Sequence, residues 1–299
     1  KIYRRECPSK VLVERYIRYK VRQNCKPNTL RNAYTSIVLI SDFLKRINKN
    51  RFDQLTRTDL EMFVEVEQDR GLKPSTMRTR LASLYAFLRF LADDELIDPN
   101  LLKRKIHIKK PQALPRSIHP EDERKLLSVV KNVRDRAIIL LLLRTGMRIG
   151  ELLSITMKDI DLQEQMIVIY ESEKTGSGRV VYFSNDAAKA LFAYLQQRDP
   201  EKEKLFYSKK RETISYTAVW SRFNEYLKKA GLADKKYSPH CLRHTFATRL
   251  LNADMHLECL QVLLGHRNIE QTRRYANLSD KKREAEYFKA MAVIEGGHE

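Results

Sequence analysis

The sequence predicts a mainly α protein in two parts, with one small β-sheet in the second. Three observations carry this reading. Apolar residues recur at three- and four-residue spacing through the first hundred positions. A basic, proline-containing stretch without that periodicity follows over residues 101–117. Beyond it, two short β-rich runs flank a glycine-containing turn within an otherwise helical region. The chain has 299 residues, enough for two ordinary domains. The expected division is a helical unit over 1–100, a linker over 101–117 and a larger unit from 118 to 299.

The first unit reads as four helices. Val11 to Gln23 carries a stripe of Val13, Tyr16, Ile17 and Val21. Pro27-Asn28-Thr29 opens a second helix whose expected core face is Leu30, Tyr34, Ile37, Val38 and Phe43. Thr56 is an N-cap for a third, followed by Leu60, Phe63 and Val64 and closed at Gly71. Pro74-Ser75-Thr76 starts a fourth, with Met77, Leu81, Leu84, Tyr85 and Leu88 on one face. Asp98-Pro99-Asn100 closes the unit.

The second unit begins near Ile118. Pro120-Glu121-Asp122-Glu123 places acids in a helix's first turn, where the macrodipole favours them. Arg134 to Arg144 is a mostly apolar helix suited to the centre of a core. Met166 to Tyr170 and Arg179 to Phe183 are the β-rich runs, and Gly176-Ser177-Gly178 between them signals a hairpin. Helices are expected again over 186–197, 217–230, 240–252 and 256–264, and a last one near 280–294.

Charge narrows the function. Lys and Arg number 57 against 38 Asp and Glu, a net charge of +19. Such an excess favours a polyanionic partner, nucleic acid above all. Residues 1–110 hold 25 Lys and Arg against 13 Asp and Glu, so the small helical unit is the more basic. The run Lys103-Arg104-Lys105, Lys109-Lys110 then reads as a tether lying along phosphates. No run of about 18 apolar residues is present to cross a membrane, and Ala137 to Leu143 is the most apolar stretch. The N-terminal residues lack a signal-peptide pattern, and the missing initiator methionine suggests a trimmed N-terminus. Cys7, Cys25, Cys241 and Cys259 are too scattered for a disulfide framework, which fits a reducing cytosol.

Four clusters carry candidate chemistry. Thr145-Gly146-Met147-Arg148-Ile149-Gly150-Glu151-Leu152 breaks the apolar helix at a glycine and sets Arg148 at the start of the next, with Glu151 at i+3. Lys174 lies on the hairpin turn. His240-Cys241-Leu242-Arg243-His244 puts His240 and Arg243 on one helix face, behind Ser238-Pro239, where a helix N-terminus favours an anion. Leu264-Gly265-His266 is followed nine residues on by Tyr275. Each alone is ordinary surface chemistry; most of the 14 tyrosines must be structural.

Together they suit phosphodiester transfer. Its five-coordinate state gathers negative charge on the non-bridging oxygens, and arginine is planar, bidentate and always cationic. A phenol deprotonated as it attacks can be the nucleophile. Histidine can take that proton or hold the phosphate, and lysine can protonate the leaving oxygen. The set calls for no metal and no cofactor.

These segments, in this order and at these spacings, resemble the tyrosine recombinase (phage integrase) family, in particular its short Xer-like members and simple transposon or phage integrases. The resemblance spans nearly the whole chain. It implies a four-helix, SAM-like core-binding domain followed by the family's catalytic domain. It further implies that Arg148, Lys174, His240, Arg243, His266 and Tyr275 form the catalytic set. In these roles Arg148, Arg243 and His266 hold the phosphate, Lys174 is the general acid, His240 the general base and Tyr275 the nucleophile of a 3′-phosphotyrosyl bond. Glu151 would support the site. The implied partner is double-stranded DNA with a specific target site, bound by a homo-tetramer on paired sites, with the terminal helix (Tyr287, Phe288, Met291, Ile294) docking on a neighbour or on its own domain. Lys158 is a weaker alternative to Lys174, and Tyr287 lies too far from His266 to replace Tyr275. Arg31, Arg78 and Arg80, on the second and fourth helices, are expected to approach the major groove.

Other readings share parts of this evidence. A type IB topoisomerase-like relaxing enzyme would use the same chemistry without strand exchange. A non-catalytic DNA-binding protein would fit the charge but has no use for the catalytic set. A zinc site from Cys241, His244, His256 and Cys259 lacks a familiar spacing; the cysteines read more simply as small helical residues and His244 as a packed histidine.

Overall fold

The computed structural model describes residues 10–109, 115–170, 178–208, 211–266 and 268–276, with residues 274–276 by backbone alone. The chain divides into two units, Lys1–Gln112 and Ala113–Glu299.

Four helices build the first unit: α1 (Lys10–Arg22), α2 (Pro27–Arg46), α3 (Arg57–Asp69) and α4 (Pro74–Asp93). Prolines open α2 and α4, where the missing N–H costs nothing. Thr56 caps α3: its Oγ1 accepts from the Asp59 N–H, and the Asp59 carboxylate accepts from the Thr56 N–H at 2.7 Å and from Lys49 at 2.6 Å. Phe87 sits edge-on against both Tyr16 and Phe52, each with ring centroids 5.1 Å apart. The α4 face matches its periodicity, with Met77, Leu81, Leu84, Tyr85 and Leu88 all buried. On α2 the buried stripe is turned towards Ala33, Ile37, Ile40 and Leu44, leaving Leu30 and Tyr34 only partly covered. Val21 on α1 is 55% exposed. It stands in the last turn, beyond the contacts of Tyr16 and Tyr19 with Phe90 that seat the helix.

The stretch from residue 101 is not a free linker over its first half. Leu101, Leu102, Ile106 and Ile108 pack against the four-helix core, and the Ile106 N–H donates to the Tyr85 hydroxyl at 2.9 Å. Arg57 also donates to the Arg104 carbonyl. The apolar residues alternate with Lys, Arg and His instead of following a helical period, which hides them in the sequence.

The second unit holds α5 (Pro120–Val129), α6 (Val133–Thr145), α7 (Ile149–Ser154), β1 (Ile160–Asp161), β2 (Met166–Ile169), β3 (Arg179–Tyr182), α8 (Asn185–Leu195), α9 (Tyr216–Lys229), α10 (Pro239–Asn252), α11 (Leu257–Leu264) and α12 (Glu270–Ala276). Every residue of α6 from Ala137 to Leu143 is buried, so this helix forms the axis of the core. The sheet is an antiparallel β1-β2-β3 meander, with Ile169 paired to Arg179 where β2 hands over to β3. Two short elements exceed what periodicity could predict: the two-residue β1 and the seven-residue α12. Lys110, the turn bearing Lys174 and the helix expected near 280–294 lie outside the described residues.

Candidate active site

The site begins where α6 ends. Gly146 closes that helix with φ +62°, and a Cβ there would enter the Phe246 ring, so both the conformation and the space require glycine. The turn delivers Arg148 to the N-cap of α7. An arginine offers no acceptor to a helix N-terminus, so Glu151 supplies it from the first turn. Its carboxylate accepts the Arg148 N–H at 2.6 Å and the Arg148 Nη1 at 2.8 Å.

Arg243 comes from α10 and is 6% exposed. Its Nη1 donates to the Gly146 carbonyl and its Nη2 to the Leu264 carbonyl, both at 2.7 Å. Arg148 Nη2 reaches the next carbonyl, Gly265, at 3.4 Å. The two guanidiniums therefore meet at the C-terminal end of α11, where unpaired carbonyls attract cations. Gly265 makes the turn there with φ +62°.

His266 follows directly. Arg243 Nη2 lies 2.9 Å from its Nε2, and Thr272 Oγ1 lies 2.8 Å from its Nδ1. A guanidinium can only donate, so Nε2 accepts and the ring proton sits on Nδ1, shared with Thr272. Burial, then the charges of Arg243, Arg148 and Arg179, push the His266 pKa down to about 4. His240, in the first turn of α10, is also lowered, by desolvation and then by Arg243 and Arg148. Both imidazoles are accordingly neutral at pH 7. Tyr275 belongs to α12, three residues after Thr272.

The fold thus gathers Arg148, Glu151, Arg243 and His266, with His240 inside the field of both arginines. Lys158 is exposed on a short 3-10 turn, Met157–Asp159. One central residue escaped sequence reasoning. Arg179, at the start of β3, is buried and donates to Glu151 through Nη2 at 2.6 Å and Nη1 at 3.2 Å, and to the Leu263 carbonyl through Nε at 3.0 Å. Strand alternation could have found it: Arg179 shares the inward face of Val181, an improbable place for an unpartnered charge. Thr272 was also missed, because a buried threonine in a basic, polar helix carries no periodic signal.

In the first unit Arg31, Arg78, Lys103, Arg104, Lys105 and Lys109 are exposed. Arg80 differs. Its guanidinium is held by the buried carboxylate of Glu67, which Arg70 also contacts at 2.8 Å. Periodicity cannot reveal this, since Glu67 belongs to another helix. Cys241 is buried and accepts the Ser238 N–H at 3.3 Å, whereas Cys259 is exposed. Among the described residues no three His, Cys, Asp or Glu side chains converge where a metal could sit, and no helix is long and apolar enough to cross a membrane.

Comparison with known proteins bears on this arrangement. Residues 116–282 match the phage integrase family, more than half of the chain. The chain belongs to the phage integrase family. This tyrosine recombinase is an enzyme that breaks and rejoins DNA. Residues 13–95 match the phage integrase N-terminal SAM-like domain. The recombinase is 33% identical over 258 residues to tyrosine recombinase XerC of Vibrio cholerae, covering 84% of this chain and 82% of that one. It is 28% identical over 299 residues to XerA of Pyrococcus horikoshii, covering 98% and 99%. Its fold is shared with the Tn1549 transposon integrase solved with transposon right-end DNA, at a TM-score of 0.79 and 23% identity over 96% of this chain and 100% of that one. XerH bound to palindromic difH substrate gives a TM-score of 0.74 at 21% identity, over 95% and 84%.

Proposed function

We propose that the recombinase exchanges strands at a specific DNA site through Tyr275, with Arg148, Arg243 and His266 holding the scissile phosphate. The observation that carries this reading is the convergence of both guanidiniums on the Leu264–His266 turn, nine residues before Tyr275. Cations held in place before substrate arrives act where charge develops and need no reorganisation. The Tyr275 oxygen bonds to phosphorus while the bond to the 5′-oxygen breaks. Neutral His240 takes the phenolic proton, and Lys174 gives one to the leaving 5′-oxygen. The 5′-hydroxyl of a partner strand then attacks the 3′-phosphotyrosyl bond and releases Tyr275, so bond energy is conserved.

The integrase and XerH structures named above hold DNA, which supports a duplex as this protein's partner. The net charge of +19 supports it independently. Exchange between two duplexes requires a cleaving subunit at each exchanged strand, so the working form is a homo-tetramer on paired sites. Free Cys25, Cys241 and Cys259 fit work in the reducing cytoplasm.

The test is a covalent adduct. A duplex selected by binding from a random pool, then nicked beside the scissile phosphate, is incubated with the protein in EDTA. Wild type should form a protein–DNA adduct and Tyr275→Phe none. An adduct from Tyr275→Phe, or one that requires a divalent metal, would overturn the proposal.

A further inference from the structure

Thr272 is a fully buried side chain on the helix that carries Tyr275. Its Oγ1 lies 2.8 Å from His266 Nδ1, and the other ring nitrogen lies 2.9 Å from Arg243. Its backbone N–H is fixed as well, donating to the Ile269 carbonyl at 2.8 Å. Thr272 and Tyr275 are three residues apart in the same helix.

We propose that Thr272 is a positioning residue that anchors the His266 ring through Nδ1, the tautomer being set by Arg243 on the other nitrogen, and keeps His266 in register with the helix of Tyr275. The second half rests on the reading of Tyr275 and His266 given above; the first half does not. With the proton on Nδ1, the lone pair of His266 is on Nε2, where it accepts from Arg243. A phosphate oxygen arriving beside Arg243 meets that nitrogen. Once Nε2 takes a proton, it donates to the phosphate while Nδ1–H still donates to Thr272. The Thr272 oxygen accepts in both states and does not need to turn. The other tautomer would set an N–H against the Arg243 guanidinium, where both groups can only donate. The same hydrogen bond ties α12 to the phosphate site, so a shift of α12 that withdraws Tyr275 also breaks the hold on His266.

Two measurements on the full chain test this. The first reads the His266 tautomer in the DNA-free protein from its ring ¹⁵N shifts at neutral pH. Wild type and Thr272→Ser should show the Nδ1–H form with that proton hydrogen-bonded, and Thr272→Val, which keeps shape and loses the hydroxyl, should keep the tautomer and shift the Nδ1 resonance as the bond is lost. The second is single-turnover cleavage of the selected nicked duplex. Thr272→Val should cleave about ten-fold or more slowly with unchanged DNA affinity, and Thr272→Ser should restore the rate. An Nε2–H tautomer in wild type overturns the proposal without any variant, as does a Thr272→Val protein with wild-type Nδ1 shift and rate. If wild-type protein forms no adduct at Tyr275, the nucleophile assignment fails, and the Nδ1 shift still decides the role of Thr272.

Discussion

Arg179 sets both terminal nitrogens of its guanidinium on the Glu151 carboxylate, and Glu151 in turn accepts the backbone and side chain of Arg148. Burial alone would raise the Glu151 pKa. The hydrogen bonds from Arg179 and Arg148 outweigh it and hold the carboxyl below its usual range. The carboxylate is thus ionised at neutral pH and fixes both the backbone N–H and the guanidinium of Arg148. Arg179→Ala should cost about 3 kcal/mol in urea unfolding, because it removes the buried one of the two cations on a half-buried carboxylate and leaves Arg148 alone to pair it. Arg179→Lys keeps the charge but loses the two-pronged geometry, and should cost roughly half as much. A loss below about 1 kcal/mol for the alanine variant would contradict this role.

Gly265 and Gly146 allow no side chain. Each has φ +62°, and a Cβ on Gly265 would stand 2.7 Å from Arg179 Nη1. Gly265→Ala should lose about 1–3 kcal/mol of stability, from strain and overpacking together. It should also slow cleavage, since the displaced group is the one that holds Glu151. Gly146→Ala meets the Phe246 ring instead, so shortening that ring with Phe246→Leu should recover part of its stability. Gly265→Ala should gain nothing from the same change. Thermal unfolding of the four proteins separates the two cases.

His266 predicts a pH dependence of stability. Its imidazole titrates near 6.5 when unfolded and near 4 when folded. Between those values the unfolded chain binds the additional proton. The contribution is therefore whole above about pH 6.5 and is lost as pH falls towards 4, at most about 3 kcal/mol and less where solvent screens the half-exposed ring. Carboxylates titrate in the lower part of this window, so the measurable quantity is the difference between wild type and His266→Asn. Wild type should lose more stability than the variant between pH 7 and 5. Parallel curves would show that His266 is not depressed.

The basic residues of the first unit should separate by experiment. Arg78 is exposed on α4, so Arg78→Ala should weaken DNA binding and lower the slope of log affinity against log salt by about 1. Arg80 is engaged with Glu67. Arg80→Ala should leave the salt slope unchanged and cost about 1–2 kcal/mol of stability, Arg70 keeping part of the carboxylate's charge paired. Salt-dependent binding and urea unfolding of both variants decide this.

The sequence by itself determined the helical stripes, the caps and the β2–β3 pairing, because each depends on neighbours within a few residues. Thr56, Pro74 and the inward face of α4 were legible for that reason. The motifs around Arg148, Arg243 and His266 were legible as a family pattern, in order along the chain. What only the tertiary structure decided was who meets whom. Arg243 reaches Gly146 across 97 positions and Arg148 reaches Gly265 across 117. The burial of Arg179 on Glu151, the hold of Thr272 on His266 and the engagement of Arg80 by Glu67 are of the same kind. A buried charge or hydroxyl is stable only beside its partner, and that partner is set by the path of the whole chain, which local periodicity does not encode.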